Sequence, residues 1–155
     1  MSFEATIARI KKMREATAPD SPQLRQALTR IGVRLAAQMR LNIRKEGIID
    51  QGALFNSIDW KLGTNADGAF VEVGSYGIKY AAMNEYGGPM SERQVRAMFA
   101  AMRERNGKGR RAGKGIVKIN KDGTGNWKKR PFVRPALKDN RTYILDIIRQ
   151  LGKPE

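Results

Sequence analysis

Residues 51–88, QGALFNSIDWKLGTNADGAFVEVGSYGIKYAAMNEYGG, constrain this chain most, because they hold its one clear β-hairpin pattern. Leu54, Ile58, Trp60 and Leu62 share one parity, and Phe55, Ser57, Asp59 and Lys61 the other. A period of two is what a half-buried strand needs. Asn56 interrupts the apolar parity and marks a sheet edge or a frayed start. Gly63 to Gly68, read as Gly-Thr-Asn-Ala-Asp-Gly, is turn chemistry, since Gly and Asn tolerate positive φ and Asp caps its own backbone. Phe70 to Gly74 returns with Val71 and Val73 on one face and Glu72 on the other. So long a turn predicts a loose tip rather than a tight two-residue connection.

Helices are predicted on both sides of this hairpin. Phe3, Ile7, Ile10 and Met13 or Arg14 recur at helical steps over 2–15, and Thr17-Ala18-Pro19-Asp20 breaks that pattern. Ser21 can cap a second helix with Pro22 in its first position, where the missing N–H costs nothing. Leu24, Leu28, Ile31, Leu35 and Met39 form a narrow stripe along it, and Gly47 stops it after about Glu46. Arg30, Arg34, Arg40, Arg44 and Lys45 fall on the opposite side. An ordinary wet face accounts for them, and a surface meeting DNA phosphate or an acidic neighbour is the functional alternative.

A third helix starts at Ser91, where Gln94 completes a capping box, and carries Val95, Met98, Phe99 and Met102 to about Asn106. Ile116 to Ile119 reads as a short strand and Asp122 to Asn126 as a turn. Pro131 to Pro135 reads as extended, because each proline pushes its predecessor out of the α region. Pro135 then opens a last helix with Leu137, Ile144, Ile147, Ile148 and Leu151 on one side and Gly152 as its stop.

These elements predict an α+β fold. A small antiparallel sheet of residues 54–62, 69–74 and 116–119 packs against the long helix 22–46 and the C-terminal helix 136–151. At 155 residues the chain is read as a single domain, 1–155, with a helical arm over 1–20 and a helical, basic, glycine-rich insert over 91–130. No apolar run approaches the roughly 20 residues that span a bilayer, and the charged start predicts no signal peptide.

The chain contains neither cysteine nor histidine. Disulfides and thiol catalysis are excluded, and the commonest general base and metal ligand is missing. The formal charge is +15, which points to a polyanion nearby. Residues 105–130 hold ten Lys or Arg against Asp122 alone, +9 of that total. A solvated loop is the plain reading of this segment. The functional one is a partner contact through Arg110, Arg111, Lys114 and Lys118, with Trp127 as a ring that could stack on bases.

Other motifs fail on spacing. Gly109-Arg110-Arg111-Ala112-Gly113-Lys114-Gly115 has three residues between Gly109 and Gly113 where a Walker A loop has four, and Gly115 replaces the magnesium-binding hydroxyl. Asp122 and Asn126 supply too few oxygens for a calcium loop. Asp59 and Glu72 could in principle meet across the hairpin as a metal-binding pair, but both lie on its polar parity, where solvated strand charges explain them. No catalytic residue, metal or cofactor is expected, and the chain is read as a non-enzyme.

Four segments in order carry a resemblance: Gly52-Ala53-Leu54-Phe55-Asn56-Ser57-Ile58, Phe70-Val71-Glu72-Val73-Gly74, Tyr80-Ala81 with Glu85-Tyr86-Gly87, and Arg130-Pro131-Phe132-Val133-Arg134-Pro135-Ala136-Leu137. Over residues 22–150 the chain resembles the small tail-completion, or head–tail joining, proteins of the neck of tailed bacteriophages. It is similar in layout to Mu-type virion morphogenesis proteins. That family shows G-x-L-x-x-S-I, V-x-V-G, Y-A-x-x-x-E-x-G and R-P-F-x-x-P-A segments. The departure is residues 91–129, longer and more basic than the pattern requires.

The resemblance implies a structural subunit of the virion, made in the host cytoplasm, with no membrane partner. It implies a homo-oligomeric ring, six- or twelvefold, between the connector and the tail-tube or terminator proteins, with DNA passing through the channel. In that setting Tyr80, Glu85 and Tyr86 are candidates for the subunit interface, and Phe132 for a core plug. The alternative is a free-standing nucleic-acid-binding protein that uses the basic 105–130 loop.

Overall fold

The computed structural model describes residues 7, 11, 14–48, 52–66, 68–106 and 116–151, with 102–106 described by their backbone. It is an α+β protein, and the chain divides into two compact units. One comprises residues 1–77 with 133–155, and the other residues 78–132. Positions 7, 11 and 14–16 are helical; the rest of the expected first helix lies largely outside the described residues.

The first unit is built on helix α1, Pro22–Lys45. Its start is the predicted one. Ser21 Oγ accepts from the Leu24 amide at 3.3 Å, and Pro22 follows in the first turn. Gly47, at φ +62°, ends the run past the C-cap Glu46. The predicted stripe faces inward: Ile31, Leu35 and Met39 are buried, and Leu24 and Leu28 half-buried. Burying side chains of this size stabilises by about 1.5–3 kcal/mol each.

A short helix α2, Ala53–Asn56, precedes strand β1, Ile58–Asn65, which pairs antiparallel with β2, Gly68–Ser75. The strand expected from residue 54 therefore begins at 58. Leu54 and Ile58, both fully buried, are four residues apart, a spacing that one face of a strand and one face of a helix both satisfy. Gly52, at φ +76°, opens the helical turn instead. The expected long turn is also corrected. The ladder runs to Asn65↔Gly68, so two residues connect the strands. Gly63 lies inside β1 opposite Phe70, whose Cζ would sit 2.4 Å from a Cβ at that position. A glycine that reads as turn chemistry here makes room for a cross-strand ring.

Two further helices complete this unit, α5, Val133–Asp139, and α6, Arg141–Gln150; the labels α3 and α4 belong to the second unit. The expected extended segment is helical from Val133. Pro135 sits in the first turn, where amides lack an intrahelical acceptor anyway, so it breaks no bond. The single last helix is interrupted at the buried Asn140, whose Nδ2 donates to Ala136 O at 2.8 Å and whose Oδ1 accepts from Arg34 Nε at 2.9 Å. Ala27, Ile31, Leu35 and Ile147 form the core, with Val71, Val73, Tyr143, Ile144 and Leu151 against it. Leu137 and Ile148, expected inside, are exposed.

The second unit holds α3, Ala81–Tyr86, β3, Gly88–Met90, α4, Glu92–Asn106, β4, Val117–Ile119, and β5, Gly125–Trp127. The capping box forms as expected: Gln94 Oε1 accepts from the Ser91 amide at 2.8 Å, and Ser91 Oγ from the Gln94 amide at 3.3 Å. The sequence predicts β4 in the hairpin's sheet; that expectation is corrected, because β4 belongs to a separate sheet ordered β3-β5-β4. The Asn120 to Thr124 turn redirects the chain. Asp122 Oδ1 accepts from the Thr124 amide and hydroxyl, Gly123 takes φ +84°, and β5 returns along β4. Met90, Val95 and Val117 form this unit's core, joined by Met83, Met98, Phe99, Ile116 and Trp127.

Candidate functional site

The polar centre of the second unit is Asn84 with Glu85, both buried on the short helix α3. Asn84 Oδ1 accepts from Trp127 Nε1 at 3.2 Å and from Arg130 Nη2 at 3.0 Å. Its Nδ2 donates to Tyr80 O at 3.2 Å, and its backbone carbonyl accepts from the Arg130 amide at 2.7 Å. Glu85 Oε2 accepts from the Phe132 amide at 2.7 Å. The α3 segment therefore holds residues 127–132 by side chain and backbone together. Gly87 makes the approach possible. It sits at φ +67°, and a Cβ there would lie 2.9 Å from Trp127 O.

This geometry places the predicted interface residues differently from one another. Glu85 points inward and holds the Phe132 amide, Tyr80 is half-buried beside the same hub, and Tyr86 is exposed. Trp127 is half-buried in the unit's core, with its indole N–H committed to Asn84. Lys118 is exposed on the small sheet. Arg110, Arg111 and Lys114 lie outside the described residues. Phe132 is buried, as expected of a core plug. Asn84 makes three side-chain hydrogen bonds, and sequence reasoning misses it. A polar residue inside a six-residue helix has no periodic signal.

On the basic face of α1, Arg30, Arg34, Arg44 and Lys45 are exposed and Arg40 is half-buried, yet three of the arginines have partners. Arg40 Nη2 donates to Ile58 O at 2.6 Å, Arg34 reaches Asn140 and lies over the Tyr143 ring, and Arg44 lies over Phe55. Planar guanidinium groups suit such bonding and stacking. On the outer face of the hairpin, Glu72 pairs across to Lys61, while Asp59 sits opposite Gly74, so the two acids are not cross-strand partners. Lys61 Nζ lies 4.1 Å from the Tyr76 ring centre. Burial first, then the Glu72 carboxylate, hold the Tyr76 phenol above its ordinary pKa. In the β4–β5 turn, the Thr124 hydroxyl and amide hold Asp122 below the usual carboxylate range.

Among the described residues no three of His, Cys, Asp and Glu gather where a metal could be held, and no helix is long and apolar enough to cross a membrane. Compared with family models, curated proteins and solved structures, the chain matches none.

Proposed function

We propose that this chain is a structural subunit of a tailed-bacteriophage neck, joining head to tail as a homo-oligomeric ring. The reading rests on the four ordered segments, and one observation carries it. Two of those segments, 80–87 and 130–137, are tied together where they flank the long basic insert. Arg130 bonds to Asn84, and Phe132 to Glu85. With its ends fixed in this way, the insert folds as its own helix and small sheet, and its exposed positions can differ in charge without disturbing that core. A ring subunit that must fit different neighbours benefits from such a division. The motif residues hold the backbone, and the insert is left for contacts.

Particles assembled without the protein test the proposal. Filled heads and separate, complete tails are expected under the electron microscope. Normal joined particles would contradict it.

A further inference from the structure

The charge of this protein is unevenly divided. Residues 78–132, about a third of the chain, carry fourteen Lys or Arg against four Asp or Glu, +10 of the +15. Glu85 is buried against Phe132, Glu92 pairs with Arg96, and Asp122 is held by Thr124. The acids described in this unit are thus engaged locally.

The three-stranded sheet has one face on the unit's core, where Val117 and Trp127 meet Val95. Its other face presents Lys118 beside Asn126, with Pro89 across from Asn126 on the third strand. Lys128 continues the alternation two residues beyond Asn126, where its amide donates to Ile116 O at 2.7 Å. Lys118, Asn126, Lys128 and Pro89 are all exposed. Among the described residues neither lysine has an ion-pair partner.

We infer that this outer sheet face, through Lys118, Asn126 and Lys128, binds the phosphate backbone of duplex DNA without reading its sequence. A protein partner of matching charge would want an apolar, desolvatable centre in its contact, as protein interfaces have. This face offers two ammonium groups and an amide around a single proline. Cations and amide donors are the groups that contact phosphates, and they carry no base preference. Lys118 and Lys128 lie on diagonal cross-strand positions, roughly 7–8 Å apart at the backbone, so two long side chains can reach neighbouring phosphates without displacing each other.

The inference is independent of the neck assignment. Rings in particles without DNA affinity would remove this inference alone, and DNA affinity in a protein absent from particles would remove the neck reading alone. The test is fluorescence anisotropy of the full chain with a duplex of about 20 base pairs, roughly two helical turns, of arbitrary sequence across a salt series. Log affinity should fall linearly with log salt. The Lys118→Gln, Lys128→Gln double variant should lower the slope by about two, near one for each phosphate left without its lysine. A charge-matched control, Arg25→Gln with Lys138→Gln, changes exposed residues of the other unit and should leave the slope close to the parent's. Both variants should keep the parent's circular dichroism. No binding by the parent, an equal slope change in the control, or an unchanged slope in the sheet variant would each overturn the inference. So would equal affinity for a polyglutamate peptide with the same dependence on Lys118 and Lys128, which would assign the face to an acidic protein.

Discussion

Single positions in this protein have roles that their residue types conceal. Gly32 lies in the middle of α1, where glycine costs a helix about 1 kcal/mol relative to alanine. A Cβ there would stand 2.9 Å from Val71 Cγ2 and 3.0 Å from Trp60 Cδ2, so the missing side chain lets the hairpin lie directly on the helix. Gly32→Ala should therefore lower the melting temperature. Overpacking strain of about 1–3 kcal/mol outweighs the gain in propensity. A higher melting temperature would mean that Trp60 and Val71 can yield. Asn84 is the second such position. Asn84→Ala removes the acceptor shared by the Trp127 indole and the Arg130 guanidinium, and should cost about 1–3 kcal/mol in urea unfolding. An unchanged midpoint would show that the hub adds nothing to stability. Neither role is legible in sequence, because each depends on what a distant segment brings to the site. Trp60 is readable as inward-facing from its parity, but its half-buried seat on Gly32 is not.

At the level of elements, what can be read is local. The α1 cap, its first-turn proline, its glycine stop, the capping box of α4 and the parity of β1 from Ile58 each follow from residues within a few positions of one another. Ser21→Ala should accordingly cost about 1 kcal/mol, measured as a shift of the thermal or urea midpoint. No shift would mean that Pro22 sets the helix start by itself. What cannot be read is pairing. Gly125-Asn126-Trp127 has poor strand propensity and reads as the end of a turn, yet it is the centre of the second sheet. Close approach explains its glycine. A Cβ on Gly125 would come within 2.6 Å of Val117 Cγ1 and 3.0 Å of Val95 Cγ2. The helical start at Val133 is hidden by a rule that holds for helix interiors and relaxes in the first turn.

For the whole molecule, composition and structure agree on a division of labour. Residues 1–77 with 133–155 contain the long helix, the hairpin and most of the buried apolar side chains, while residues 78–132 carry two-thirds of the net charge around a smaller core. The α+β class is legible from the order of periodic segments. The separation into two sheets is not, because nothing in a three-residue strand says which edge it joins. The proposed neck role joins these observations. In that role, the hydrogen-bonded hub would hold the ends of the basic insert, and the insert would be the part that meets neighbours. Gold-labelled antibody against this protein, applied to purified particles, tests that role most directly. Label concentrated at the junction of head and tail is the predicted result. Particles that carry no label, or carry it on the head shell or the tail tip, would contradict it.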